Sequence, residues 1–188
     1  GMVRAAHAAG MKITVSLSTT FGCPFEGRVQ EDVVLDFVSR FRAMGFDGIS
    51  LADTTGMANP RQVRELVKKV LDRFHPPNDT YYTLHFHNTR GMGLANVVAG
   101  IEAGVRSFDG SVSGLGGCPF APGASGNICT EDMVNMLEDM GYDTRVDLAK
   151  LLAVSRRIPV VVGHDTPGQV MKSGQTLELH ELPQSLRN

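Results

Sequence analysis

Two histidines separated by one residue, His85 and His87, are the residues of this chain best suited to chemistry. They close the run Leu84-His-Phe-His, which is typical of a β-strand. Residues i and i+2 of a strand point to the same face, so both imidazoles can reach one point, where a divalent metal could bind. Taken alone, the pattern more often belongs to a polar strand whose histidines are hydrogen bonded within the protein.

A glycine-rich loop at 114–127 adds two reactive groups, the thiol of Cys118 and the carboxamide of Asn127. A free thiol has a pKa of about 8.5 and can transfer a proton near neutral pH. Flanking glycines would let the loop close over a substrate and exclude water. Two imidazoles, an amide oxygen and a thiol indicate metal-assisted chemistry at carbon. The structural alternatives are a small buried thiol for Cys118 and a turn or cap residue for Asn127.

Strand and helix patterns alternate along the chain. Strands are predicted over 12–18, 47–52, 81–87 and 107–112. Helices are predicted over 2–9, 30–44, 60–74, 92–103, from the capping residue Thr130, over 147–155, and as a short segment within 164–174. In the 30–44 helix, Val33, Val34, Phe37, Val38 and Phe41 form the predicted apolar face. Such alternation predicts consecutive βα units and a parallel sheet.

Polar residues follow these strands at their carboxyl ends, where parallel α/β folds collect their chemistry. Asp53 follows the second strand, the two histidines end the third, and the glycine-rich loop follows the fourth. This regularity indicates a TIM (β/α)₈ barrel, but a complete barrel takes about 250 residues. The predicted fold class is therefore α/β, with parallel βα units forming the C-terminal half of a barrel. We expect a single partial-barrel domain over 2–180 and a tail at 181–188.

The composition is that of an ordinary globular protein. Hydrophobic residues make up 42% of the chain, and the net charge of −2 comes from interspersed acids and bases, which argues against a nucleic-acid partner. No apolar run approaches the roughly 18 residues of a membrane span, so no membrane partner is expected. Three cysteines without paired spacing favour a reducing compartment, the cytoplasm. Because half a barrel leaves two edge strands, we expect a homo-oligomer or a separate N-terminal half to cover them.

With these motifs assembled, the chain resembles the hydroxymethylglutaryl-CoA lyase family, whose members are metal-dependent TIM-barrel enzymes. The resemblance runs from about Gly10 to Leu152. It rests on Phe21-Gly-Cys-Pro-Phe-Glu-Gly, Ile49-Ser-Leu-Ala-Asp-Thr-Thr-Gly, Leu84-His-Phe-His-Asn-Thr-Arg-Gly, and the 114–127 loop continuing into Ile128-Cys-Thr-Glu-Asp-Met. Ketoacid aldolases and related synthases share the two-histidine strand, whereas the loop is specific to the lyase branch.

The resemblance implies a retro-Claisen cleavage of an acyl-CoA substrate, 3-hydroxy-3-methylglutaryl-CoA, to acetyl-CoA and acetoacetate. It implies Mg²⁺ or Mn²⁺ as the cofactor, with His85, His87 and Asn127 as metal ligands and Cys118, Asp53 and His85 as catalytic residues. In that family an aspartate on the first strand is a further ligand, and the neighbouring arginine polarises the thioester. Neither has a counterpart in these 188 residues, which leaves open whether the chain alone is active.

Two departures and two alternatives accompany the resemblance. Asn88 stands where the family usually has aspartate and Ala52 where it usually has glycine, and both fit a relative with a shifted substrate. One alternative is a truncated, non-catalytic remnant. The other is a related ketoacid aldolase or Claisen synthase, which does not need Cys118. Elsewhere, Glu131 reads as a carboxylate in a first helical turn that requires no function, and Asp53 fits a loop cap equally well.

Overall fold

The sheet contains four parallel strands in the order β1-β2-β3-β4. The computed structural model describes residues 1–74, 80–119, 121, 123–179 and 181–186, so Phe120 and Pro122 of the glycine-rich loop and residues 187–188 of the predicted tail lie outside the described residues. The strands are β1 (Thr14–Leu17), β2 (Gly48–Asp53), β3 (Tyr81–Phe86) and β4 (Ser107–Asp109). Consecutive strands are neighbours, and a helix crosses over between each pair. This confirms the predicted α/β class with parallel βα units.

The three helices that connect the strands pack against the sheet, and four more follow its last strand, as far as the chain is described. The helices are α1 (Met2–Ala8), α2 (Glu31–Ala43), α3 (Pro60–Phe74), α4 (Gly93–Ala103), α5 (Thr130–Asp139), α6 (Leu148–Ser155), α7 (Ile158–Val162) and α8 (Val170–Ser173), with 3₁₀ turns at Val112–Gly114 and Gln184–Leu186. Among the described residues, none of these helices has the length and apolar character needed to cross a membrane.

The main core lies between the sheet and helices α2 to α4. All six residues of β2 are buried, because this inner strand lies between β1 and β3 and under the helices. Helix α3 begins at Pro60, as predicted, and buries one apolar stripe of Val63, Leu66, Val67 and Val70. A smaller second cluster joins the later helices through Val134, Leu148, Leu152 and Met171.

The predicted buried face of α2 is partly wrong. The helix buries Val34, Leu35 and Val38, whereas Val33 is 47% exposed and Phe37 is 37% exposed. Two stripes on α2 follow a helical period, one through Phe37 and one through Leu35. Contact with the sheet buries the stripe through Leu35. Phe37 lies on the flank instead, where its ring centroid is 6.0 Å from that of Phe41.

Two predictions at the end of the sheet are also wrong. Strand β4 ends at Asp109, because the chain turns into a 3₁₀ segment in which Ser113 has a φ of 57°. Thr130 is the first residue of α5 rather than its cap, and Cys129 occupies the N-cap position without a side-chain cap hydrogen bond. The local sequence suits a threonine cap, but the backbone of Thr130 is held by its hydrogen bond to the carbonyl of Ser111.

The C-terminal prediction of a helix within 164–174 captures only α8, and the structure adds α7, which the sequence reading missed. Helix α7 has no buried residue, so its apolar side chains show no amphipathic period. Its start is marked only by Pro159 in the first turn.

The strand register places polar side chains in rows on the face of the sheet opposite the main core. One row of hydroxyl side chains crosses all four strands, through Ser16, Ser50, Thr83 and Ser107. The next row towards the carboxyl ends contains Ala52, His85 and Asp109. The chemistry of the molecule is therefore concentrated at one end of this polar face.

Candidate active site

The two histidines and Asn127 meet at the carboxyl end of β3. His85 lies within the strand, and His87 follows it and forms an antiparallel bridge with Asn127. The two imidazole centroids are 5.2 Å apart, with the ring planes tilted by 59°. The structure therefore brings together the three side chains that the sequence nominated as metal ligands.

The sequence reading missed Asp109, the cross-strand neighbour of His85. Its carboxylate accepts a hydrogen bond from the Nδ1–H of His85. A carboxylate can only accept here, so in the neutral imidazole the proton is on Nδ1 and Nε2 of His85 keeps its lone pair. The register between the third and fourth predicted strands could have revealed this pair, because both residues fall in one row of one face.

His87 is in a different environment from His85. It is buried, and among the described residues its enclosed Nδ1 has no hydrogen-bond partner. Burial, assisted by the charge of His85, lowers the pKa of His87 below its ordinary value. The neutral imidazole, which is the metal-binding form, is therefore favoured.

Asn127 is oriented by the loop that carries it. Its Nδ2 donates to the carbonyl of Leu115 at 2.6 Å, and its enclosed Oδ1 has no partner among the described residues. Closure of the loop depends on Gly126, which has a φ of 100°. A Cβ at that position would lie 2.3 Å from the carbonyl oxygen of Gly116, so only glycine fits without rearrangement.

Asp53 ends β2 with one oxygen engaged and one free. Its Oδ1 accepts from the backbone N–H groups of Met57 at 2.8 Å and Ala58 at 3.1 Å. Its Oδ2 is enclosed and without a partner in the described part of the chain. Burial raises the pKa of Asp53, and the two N–H groups and the charges of Arg90 and His85 oppose that rise. The loop-cap interpretation is therefore correct for Oδ1 and leaves Oδ2 available.

Arg90 ties the Asp53 turn to the loop that follows the histidines, and the sequence reading missed this role. Its Nη1 donates to the carbonyls of Gly56 at 2.8 Å and Thr55 at 3.3 Å. The two loops also touch directly, because a Cβ on Gly56 would lie 2.7 Å from the side chain of Thr89. The position of Asp53 is thus coupled to the end of β3.

Cys118 lies on the glycine-rich loop, partly buried and with a free thiol. Its carbonyl accepts a hydrogen bond from the N–H of Ala121 at 3.0 Å, which makes a tight turn. Within the described residues its side chain makes no hydrogen bond to the histidines or to Asp53. The loop backbone alone relates this thiol to the other residues.

The residues present fit a hard divalent cation in part. Imidazole nitrogen and carboxamide oxygen are suitable ligands, and the unpartnered atoms of His87 and Asn127 are buried as ligand atoms would be. In the described ranges, no three His, Cys, Asp or Glu side chains cluster to hold a metal on their own. His85, His87 and Asn127 would therefore be a partial ligand set.

Comparison with known proteins gives the family. The family model described as HMGL-like matches residues 1–158. The chain is 45% identical over 171 residues to hydroxymethylglutaryl-CoA lyase of Bacillus subtilis, and the matched region covers 89% of this chain and 56% of that protein. It is 43% identical over 165 residues to (R)-citramalyl-CoA lyase of Chloroflexus aurantiacus, and the matched region covers 88% of this chain and 51% of that protein.

A solved structure gives the same result. HMG-CoA lyase of Acinetobacter baumannii, in complex with coenzyme A and 3-methylmalate, superposes with a TM-score of 0.88 at 50% identity, covering 97% of this chain and 60% of that one. This likeness confirms that the four βα units correspond to part of a TIM barrel. The chain spans about half the length of the curated relatives it matches. The predicted resemblance is confirmed, and the chain belongs to the HMGL-like family.

Proposed function

We propose that this chain carries one part of the active site of a divalent-metal-dependent carbon–carbon lyase. The substrate would be an acyl-CoA, 3-hydroxy-3-methylglutaryl-CoA, and the products acetyl-CoA and acetoacetate. The observation that carries the proposal is the meeting of His85, His87 and Asn127 at one strand end, in a chain of the HMGL-like family.

In this proposal His85, His87 and Asn127 hold Mg²⁺ or Mn²⁺. When bound, such a cation would acidify the tertiary hydroxyl of the substrate and orient its oxygen atoms. The other ligands come from outside this set, as its partial character requires.

Asp53 is suited to accept the hydroxyl proton. Burial raises its pKa, so it is a stronger base than an exposed carboxylate, and its Oδ2 is free while Oδ1 is held by two N–H groups. Loss of the hydroxyl proton to Oδ2 turns the carbinol carbon into a ketone. The electrons of the broken carbon–carbon bond pass to the acetyl thioester fragment as an enolate.

Cys118 is suited to complete the reaction. Its thiol proton would go to the methylene carbon of the enolate and yield acetyl-CoA. The positive φ values of Gly114, Gly116 and Gly126 let the loop fold back on itself, which would keep water from the enolate. His85 contributes as a neutral metal ligand at the end of β3.

Citramalyl-CoA is a second candidate substrate, favoured by the 43% identity to (R)-citramalyl-CoA lyase. It differs from hydroxymethylglutaryl-CoA by one methylene between the carbinol carbon and the free carboxylate. The same bond cleavage would then release pyruvate instead of acetoacetate. Asn88 and Ala52 depart from the usual family residues beside His87 and Asp53, in keeping with a shifted substrate.

The test combines the chain with the part that its relatives have in addition. The chain is assayed alone and co-expressed with the portion of the Bacillus subtilis lyase that it does not match, using Mn²⁺ and each acyl-CoA. We expect acetyl-CoA to form in the co-expressed preparation, together with acetoacetate or pyruvate. Inactivity with both substrates, in a preparation that is folded and contains both parts, would contradict the lyase proposal and favour the remnant.

Cys118→Ala tests the thiol within the same assay. We expect turnover to fall by about 10²- to 10⁴-fold, the range of general acid catalysis, with Mn²⁺ affinity unchanged. Cys129→Ala is the matched control, because burial holds that thiol at a pKa of about 12 and it cannot donate a proton readily near neutrality. Equal turnover in both variants would eliminate the role of Cys118 and favour an aldolase-like reaction.

Location and assembly follow from simpler observations. Cys23, Cys118 and Cys129 are free thiols, which suits the reducing cytoplasm. The polar face and the two outer strands, β1 and β4, need a covering partner. We propose that a complementing half of the barrel or a second copy of the chain provides it.

A further inference from the structure

Asp109 and His85 form a hydrogen-bonded side-chain pair on the polar face of the sheet. They are register partners on β4 and β3, and the carboxylate accepts from Nδ1–H of the imidazole. In the part of the chain that the structure describes, His85 is the sole ion-pair partner of Asp109. The Asp109 carboxylate therefore interacts with the His85 imidazole and with no other charged side chain among the described residues.

The pair determines which imidazole nitrogen is free. A neutral imidazole carries one proton, and a carboxylate stabilises it on the nitrogen that faces the carboxylate. With the proton on Nδ1, Nε2 presents a lone pair on the other side of the ring. Histidines that bind metals commonly donate their second N–H to a carboxylate in this way, which fixes the ring orientation and increases ligand basicity.

His87 lacks such a partner and provides an internal contrast. Its Nδ1 is enclosed and unpartnered among the described residues, and the protein interior rather than a hydrogen bond limits its motion. The two histidines therefore depend on different supports. His85 is only partly buried, so a hydrogen bond is needed to fix its ring.

We propose that Asp109 is a positioning residue that fixes His85 in the Nδ1–H tautomer and so presents Nε2 to a divalent cation. The inference rests on the proposed function for the identity of the ligand. It adds a residue outside the ligand and catalytic sets inferred from the sequence.

Asp109→Asn in the full chain tests the proposal, with Asp36→Asn as the matched control. The side chain of Asp36 is 55% exposed and pairs with Arg40, and that of Asp109 is 52% exposed, so the two changes remove the same charge from similar surroundings. The first measurement is the tautomer of His85 in the metal-free chain, from ¹⁵N chemical shifts. We expect the Nδ1–H form in the unaltered chain and in Asp36→Asn, and a mixture containing the Nε2–H form in Asp109→Asn.

The second measurement is Mn²⁺ affinity by calorimetry. We expect the Mn²⁺ affinity of Asp109→Asn to fall by about 10- to 100-fold, as for other carboxylates that hold a metal-binding histidine, and that of Asp36→Asn to stay unchanged. Asp109→Glu keeps the carboxylate and should recover the Nδ1–H tautomer and most of the affinity. This recovery would not occur if Asp109 served only to shape the end of β4.

The proposal is overturned if Asp109→Asn retains the Nδ1–H tautomer, or if its Mn²⁺ affinity stays within twofold of that of the unaltered chain. It is also overturned if the unaltered chain binds no Mn²⁺. Failure of the lyase assay is a separate outcome, since the tautomer and the affinity are measured without turnover.

Discussion

Two groups of enclosed polar side chains in this chain differ in how completely their polar atoms are hydrogen bonded. One is the strand-end group, comprising Asp53, His87 and Asn127, and the other is the carboxylate pair of Glu131 and Asp132 at the start of α5. In the strand-end group each side chain keeps one enclosed atom without a partner among the described residues. In the carboxylate pair all four oxygen atoms accept hydrogen bonds.

The partners of the carboxylate pair are internal and structural. Glu131 accepts from the N–H of Ser113 with both oxygens and from the hydroxyl of Ser155 at 2.6 Å. Asp132 accepts from the N–H groups of Gln169 and Val170. These bonds hold the 3₁₀ turn, α6 and α8 against α5, so this pair joins parts of the fold.

The difference indicates which buried polar residues await a ligand. A buried polar atom without a partner destabilises the protein, so it persists where an external group completes it. Complete satisfaction indicates a structural role. Of the two groups, the strand-end group therefore has the atoms that an external ligand could complete, and Thr89 and Asn96 each have one such atom too.

The largest expected effect is on the alkylation rate of Cys129, the thiol beside the carboxylate pair. Burial and the nearby charges of Asp132 and Glu131 raise the pKa of Cys129 to about 12. Since the thiolate is the reactive form, alkylation at pH 8 should be about a thousandfold slower than in the denatured chain, and should accelerate as the pH rises towards that pKa. Mass spectrometry after timed iodoacetamide treatment measures it, with Cys118 as the internal control. Equal alkylation rates for Cys118 and Cys129 in the native chain would contradict the expected protection of Cys129.

The next effect is on stability. Glu131→Ala would leave the N–H of Ser113 and the hydroxyl of Ser155 without their acceptor, so the free energy of unfolding should fall by about 3 kcal/mol. Urea denaturation followed by circular dichroism measures it. Glu65→Ala is the control, because Glu65 is exposed and pairs only at the surface with Arg61. A similar small loss in both variants would show that the carboxylate pair is not structural.

His87→Leu is expected to weaken metal binding without lowering the stability of the fold. Leucine removes a buried nitrogen that has no partner among the described residues, so unfolding stability should hold or rise, while Mn²⁺ affinity should fall by at least about tenfold. Parallel urea and calorimetric titrations give both quantities. A large loss of stability with unchanged affinity would reverse the assignment of His87 to the functional group.

The smallest effect is on the loop that orients Asn127. Gly126→Ala would place a methyl group 2.4 Å from the carbonyl oxygen of Gly114, so the loop must open and Mn²⁺ affinity should fall by a few-fold. Gly123→Ala is the control: Gly123 also has a positive φ, of 69°, but a Cβ there meets no atom of the described residues within 4 Å. Chemical-shift changes in Asn127 measure the displacement. Equal changes in both variants would attribute the effect to backbone strain alone.

The sequence was sufficient for the repeating part of this protein. Helix α3 begins and ends where its pattern predicts, and β3 differs by one residue from the predicted strand. The strand-end pattern also predicts the histidines, Asp53, Cys118 and Asn127 as candidate site residues, because parallel βα units place functional side chains at the carboxyl ends of the strands. These features depend on local periodicity, which a sequence records directly.

Glu131 shows where local reasoning fails. As a first-turn carboxylate it needed no partner beyond the helix terminus, yet it is fully buried between Ser113 and Ser155. Its partners are 18 and 24 residues away along the chain, and no short-range pattern links them. The predicted face of α2 failed for the same reason, because packing rather than periodicity decided which side was buried.

The sequence by itself determined the βα order and the family, and it nominated the candidate site residues, since these follow from residue type and spacing. Only the tertiary structure decided how each is supported: Asp109 on His85, Arg90 on the Asp53 turn, and the interior around His87. The physical reason is that a hydrogen bond between distant residues requires both to be held at the right separation, which the packed sheet provides and a linear pattern does not record.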